Sequence, residues 1–162
     1  MRKLLLWMLC GGMTYYAIEG VWHIPHNGGW ANISMLAVGG LCFALVGAAN
    51  QIPAFYNLPM RAQALIGACI ALALEFASGC VLNLWLRLGL WDYSQMSFNI
   101  MGQICLTYGI LWLLLMPLAI WLEDRLTLMW VIYNQHMGIH IRDRVWDYTL
   151  KDVYWEFLFG RQ

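Results

Sequence analysis

Four long apolar runs, at residues 4–22, 33–52, 62–86 and 99–122, alternate with short polar joins along the chain. A hydrocarbon core of about 30 Å needs roughly 20 mostly apolar residues per helix, and each run supplies that length. Continuous apolar stretches of this kind predict spanning helices. The joins at 23–32, 53–61 and 87–98 are too short to hold a second domain, and Pro25, Gly28, Gly29, Pro53 and Pro59 punctuate the first two. After Leu122 the texture changes. Glu123-Asp124-Arg125 reads as the end of the fourth helix, and residues 126–133 are apolar but too short to span. From Asn134 onward charges mix with aromatic residues, the pattern of amphipathic helices lying along a membrane face. Thr149-Leu150-Lys151-Asp152 has the form of a capping box that opens the last of them. The expected fold is therefore all-α and polytopic, with a four-helix transmembrane domain over 1–125 and a cytoplasmic, interfacial amphipathic tail over 126–162.

Composition agrees and narrows the class. Only 11% of the 162 residues are charged and 62% are hydrophobic, against about 25% charged in a soluble domain. That is too little polar surface to coat a water-facing globule of this size. Ten Trp and eight Tyr suit the aromatic belts of a bilayer. The formal net charge of zero argues against a nucleic-acid partner and against a polybasic lipid anchor. Cys10, Cys42, Cys69, Cys80 and Cys105 stand singly inside apolar runs and read as small buried hydrophobes. No small-x-small cleavage pattern follows Arg2-Lys3, so the first run is expected to be a membrane helix and not a removed signal. Arg2, Lys3, Arg61 and Arg125 flank one side of the runs and Arg87 the other, which predicts that both termini are cytoplasmic.

Candidate chemistry lies where polar groups interrupt this pattern. Glu19 and Glu75 fall inside predicted membrane helices, and an ionisable group there costs at least ~2.5–3.5 kcal/mol unless it faces protein or water and has a partner. Each is either glue between helices or part of a site. Helices one and three run in the same direction, so both carboxylates fall in the outer half at similar depth. Asn83 and Arg87 follow Glu75 at four-residue steps, while Asp92, Asn99 and Gln103 come from the third join and the start of helix four. Together these seven are the expected ligand- or ion-binding residues of one outward-facing polar cavity. The stripe Gly67, Ala71, Glu75, Gly79 lets a neighbouring backbone approach, and Gly40, Ala44 and Ala48 offer a matching surface on helix two. His136 and His140 share a helical face at a spacing that can hold a metal, but further ligands are not evident, and no metal site is expected. His23 and His26 fall in the first join. There is no Walker A loop, no G-x-S-x-G and no Cys/His nucleophile arrangement. The chain is not expected to hydrolyse ATP, to be an enzyme or to carry a cofactor.

The run Trp91-Asp92-Tyr93-Ser94, then Phe98-Asn99, then Gly102-Gln103-Ile104-Cys105-Leu106 resembles the bacterial membrane proteins known as "putative ABC-transporter type IV" (CmpB-like). Glu19, late in the first helix, and Glu75-Phe76-Ala77-Ser78-Gly79 also fit places where that family tends to carry Glu. Relatives often have Arg where this chain has Gln103. The resemblance covers roughly residues 4–125 and implies a permease-like role in the bacterial inner membrane, without naming a substrate. Four helices are few for a complete pathway, so a homo-oligomer or a partner such as an ATPase subunit is expected. Two other functions fit the pattern. One is an accessory protein that recruits a partner through its tail; the other is a lipid-modifying enzyme with Glu75 or Asp92 as general base.

Overall fold

The computed structural model describes residues 2–27, 30–134 and 148–160. The expectations for His136 and His140 fall outside the described residues. Helix α1 (Arg2–Asn27) is followed by α2 (Ser34–Asn50), a single turn α3 (Pro53–Tyr56) and α4 (Met60–Gly79). Helix α4 continues as a π-helical turn, Cys80–Trp85, and after a 20-residue connection come α5 (Leu106–Asn134) and α6 (Leu150–Phe159). Among the described residues there is no strand, only an isolated bridge between Ile100 and Ile104. Among the described residues, three stretches are long and apolar enough to cross a membrane: Lys3–Val21, Met60–Trp85 and Leu106–Tyr133. The fourth expected span, α2, is apolar but only 17 residues long.

The boundaries differ from expectation in ways that have causes. Helix α1 runs through Pro25 to Asn27, where the sequence pattern placed a join. A proline near a helix end forfeits one backbone hydrogen bond without having to break the helix earlier. Helix α5 starts at Leu106 and not at Asn99, because Asn99 and Gln103 spend their side chains on nearby backbone carbonyls. It also runs past Glu123 and Asp124 to Asn134, because those two acids are buried inside the bundle instead of marking its edge.

Lipid tails are as apolar as leucine, so helices associate in a membrane by close packing and polar ties. Small residues make that packing here. A Cβ added at Gly12 would lie 2.4 Å from the carbonyl oxygen of Leu36, and one at Gly40 would lie 2.6 Å from that of Met8. At Gly40 the small face of α2 therefore packs on α1, antiparallel to it. The stripe on α4 faces α5 at Gly67, which meets Met116, and the connection before α5 at Gly79, which meets the Gln103 side chain. Ala64, Ala68 and Ala71 join Cys42, Val46, Trp112, Met116 and Ile120 in the core. The stripe stays buried as far as Gly79; the π turn then re-aims the chain, leaving Asn83 half-buried and Arg87 exposed.

Helix α6 belongs to the same core, which Val153 enters fully buried. Thr149 and Asp152 form the capping box at its start. At its end Arg61 donates to the carbonyl of Phe157 at 2.9 Å and to that of Leu158, satisfying acceptors that a helix terminus leaves unpaired. Arg125 holds the chain just before α6 through the Tyr148 carbonyl at 2.6 Å, and Tyr154 donates to the Leu114 carbonyl at 2.8 Å.

Two outcomes are expected. Gly40→Ala should lower the melting temperature of the detergent-solubilised protein, by about 1–3 kcal/mol of overpacking against backbone that cannot give. Gly109→Ala meets only Leu72 at 3.4 Å and should be near neutral. Equal melting of the two would dismiss the α1–α2 contact as the tight one. The second concerns pH. The side-chain and backbone hydrogen bonds of Thr149 hold the Asp152 carboxyl below its ordinary 3.8. A lowered folded-state pKa means that the cap's contribution is present above 3.8 and is lost as pH falls through the lowered value. Amide exchange across α6 should accelerate over that acid window, and Thr149→Ala, which leaves only the backbone bond to Asp152, should weaken the dependence.

Candidate functional site

Of the seven candidate residues, Glu75 is the one the structure builds around. It is 5% exposed, a cost in lipid that hydrogen bonds must offset. Trp112 of α5 donates its indole N–H to Glu75 Oε2 at 2.8 Å, and Tyr93 donates its hydroxyl to Oε1 at 3.1 Å. Each donor is backed by a ring: Tyr15 stacks on Trp112 at 5.0 Å, and Tyr108 stacks on Tyr93 at 4.5 Å. Glu19 lies one turn beyond Tyr15 on α1, on the same helical face. A cavity of about 370 Å³ opens beside this group between α1 and α5, lined by Tyr15, Glu19, Tyr108, Trp112 and, from α6, Tyr154. Its wall is mainly aromatic and aliphatic, with Glu19 as its carboxylate.

Asn83, Asp92, Asn99 and Gln103 are not among its lining residues; they shape the connection 86–105. Asn83 donates to the Trp91 carbonyl (3.0 Å) and to Gln103 Oε1 (2.9 Å), and accepts from the Leu90 N–H (2.7 Å). Gln103 donates to the Met101 carbonyl at 3.0 Å, and its own carbonyl accepts from the Trp91 indole at 3.0 Å. Asp92 accepts from the N–H of Ser94 at 2.8 Å and from its hydroxyl at 3.1 Å. Asn99 ties the Ser94 and Met96 carbonyls to the Gly102 N–H. Arg87, Phe98 and Met101 take left-handed backbone conformations at φ 54, 54 and 53. Gly102, at φ +67, leaves room for Asp92, whose Oδ1 would lie 2.8 Å from an added Cβ. The product of all these ties is one placed side chain, Tyr93 over Glu75.

Sequence reasoning missed the aromatic partners, although Tyr15 with Glu19 and Tyr108 with Trp112 stand four apart and so share helical faces. It also missed a second buried carboxylate farther along α5. Glu123 is 1% exposed. It accepts from the Trp7 indole (3.1 Å), the Thr127 hydroxyl (2.7 Å) and the Gln51 amide (3.3 Å) on Oε1. Asn50 donates to its Oε2 at 2.6 Å and to Asp124 Oδ1 at 2.8 Å. The only signal in the sequence was the apolar run 126–133 resuming after the two acids. Among the described residues, no three His, Cys, Asp or Glu side chains are arranged to hold a metal ion.

The family described as "Putative ABC-transporter type IV" matches residues 5–141. The chain belongs to this family. The match takes in α1 to α5 and includes Glu19, Glu75, the Trp91–Leu106 motif and Glu123. No curated protein and no solved structure matches the chain. Family membership and apolar helices together establish an integral membrane protein related by family to ABC transporters.

Glu123→Ala would strand several buried donors, each worth about 1–3 kcal/mol when unsatisfied. It should lose the monodisperse peak in detergent gel filtration, while Glu123→Gln, which keeps one acceptor oxygen, should retain more of it. A Glu123→Ala protein as stable as the parent would show that the cluster is not a structural tie.

Proposed function

We propose that the chain is a permease-like membrane subunit that binds a small solute or cation in the cleft between α1 and α5. The observation that carries this reading is Glu75, buried, hydrogen-bonded by a cleft-lining indole and reached by Tyr93 from the connection 86–105. The bond to Tyr93 couples the position of that connection to a carboxylate beside the cleft. In this reading Glu19 meets the solute at the wall and Glu75 sets the electrostatics from behind Trp112. Helix α2, at about 26 Å, crosses the bilayer with local thinning, as short spans do. Four crossings then return the chain to its starting side, and the distribution of basic residues supports both termini in the cytoplasm with 86–105 outside. The membrane is the bacterial cytoplasmic membrane. The pathway is completed by further copies or by a partner such as an ATPase subunit, and no chemical step is assigned to the chain.

A second reading, an accessory protein that recruits a partner through its C-terminal segment, is favoured by the exposed Trp155, Leu158 and Phe159 of α6.

The transport reading requires that water reach the cleft. Ile18 lines it. In a background whose five native cysteines are alanine, Ile18→Cys should react with a membrane-impermeant maleimide from one face of sealed vesicles only. Adding Glu75→Gln should leave insertion intact and change the labelling rate severalfold. If the reagent reaches Ile18→Cys from neither face, the cleft opens only to lipid and the reading fails.

A further inference from the structure

The wall of the α1–α5 cleft selects among classes of ligand. Its volume, about 370 Å³, falls within the roughly 300–1,000 Å³ of small-molecule sites. Four of its residues are aromatic (Tyr15, Tyr108, Trp112 and Tyr154), one is the carboxylate Glu19, and none is Lys or Arg. An anion would be opposed by Glu19 and by ring faces whose quadrupoles are negative. A polyhydroxylated neutral solute would need many donors and acceptors, and the lining is mostly hydrocarbon. A purely apolar molecule would gain nothing from Glu19. A cation with an apolar skin satisfies both features, since ring faces attract a cation that is only weakly hydrated.

Preorganisation points the same way. Trp112 is held by Glu75 and by its stack on Tyr15, Tyr108 by its stack on Tyr93, and Tyr154 by the Leu114 carbonyl. Rings already fixed cost little entropy when a ligand arrives. The indole N–H of Trp112 points to a carboxylate, and that contact polarises the ring so that its face becomes more negative.

We propose that this cleft binds an alkylated ammonium ion, with Glu19 balancing its charge and the rings of Tyr108, Trp112 and Tyr154 surrounding its alkyl groups. The proposal rests on the solute-binding reading of the same cleft and names the chemical class of the solute.

The full-length protein in phosphatidylglycerol nanodiscs, which contain no ammonium lipid, is titrated with radiolabelled choline. Saturable binding is expected. Benzyltrimethylammonium should displace it, and 3,3-dimethyl-1-butanol, the uncharged isostere, should not. Tyr108→Leu should weaken the Kd by about tenfold; Tyr108→Phe, which keeps the ring face, should lose less; Glu19→Gln should abolish binding. No saturable binding, or equal displacement by the neutral alcohol, overturns the proposal. Should Glu19→Gln fail to fold, the Tyr108 pair decides, and identical Kd values for the parent and both variants also overturn it. Phosphatidylcholine in the nanodisc separates two sources of the same chemistry: displacement of the probe assigns the site to a lipid headgroup, and no displacement assigns it to a soluble amine. Choline that fails to bind while Ile18→Cys still labels from water removes the ammonium and leaves the transport reading standing.

Discussion

A carboxylate surrounded by hydrocarbon must find its donors inside the protein, and this chain meets that condition twice along one helix. Near its start α5 offers the Trp112 indole to Glu75 of α4; farther along it presents Glu123 to the Trp7 indole of α1 and the Asn50 amide of α2. Helix α5 is thus a donor near its start and an acceptor farther along. Because lipid gives helices no hydrophobic reason to prefer one alignment, these ties set the register. The glycine and alanine contacts then supply the packing. A slip of one residue along α1 or α4 rotates the partner by ~100° and would leave an indole or a carboxylate unpaired in a medium that cannot solvate it.

The connection 86–105 obeys a different economy. It has almost no regular structure, yet its side chains Asp92, Asn99 and Gln103 are used on its own backbone, and Asn83 of the preceding π turn adds a further tie. Its apolar side chains turn outward: Trp85, just before it, and Phe98 and Met101 within it are strongly exposed. A segment built in this way is rigid inside and greasy outside, which suits a bilayer interface. Its rigidity matters because Tyr93 must reach a buried oxygen on α4.

How much of this was legible depended on whether the deciding force was local. The apolar runs and the Thr149–Asp152 box were readable because length and a four-residue motif carry them. The ends of α5 were not. At Leu106, side-chain bonds to backbone won over apolar continuity; at Glu123, burial by α1 and α2 won over the rule that acids mark a membrane edge. Glu75 stood out as an acid in an apolar run, but its partners come from sequence positions 18 and 37 residues away. Asn83, Asp92, Asn99 and Gln103 were read as a polar group around a cavity; they are close in space, but each is occupied in shaping the connection that positions Tyr93.

Gln103 shows why residue type at such a node is not interchangeable. Its side chain is buried against Gly79, where an added Cβ would lie 2.5 Å from Oε1. It works in both senses, accepting from Asn83 and donating to the Met101 carbonyl. An arginine in its place would be a donor only and longer. To accommodate it, Asn83 would have to present its oxygen instead of its amide hydrogens, releasing the Trp91 carbonyl and the Leu90 N–H together. The consequence would travel through Trp91 and Asp92 to Tyr93 and so to Glu75. Glutamine at 103 is therefore part of a matched set with Asn83 and Gly79, and a change there acts on the carboxylate through the connection and not by adding charge to the cleft.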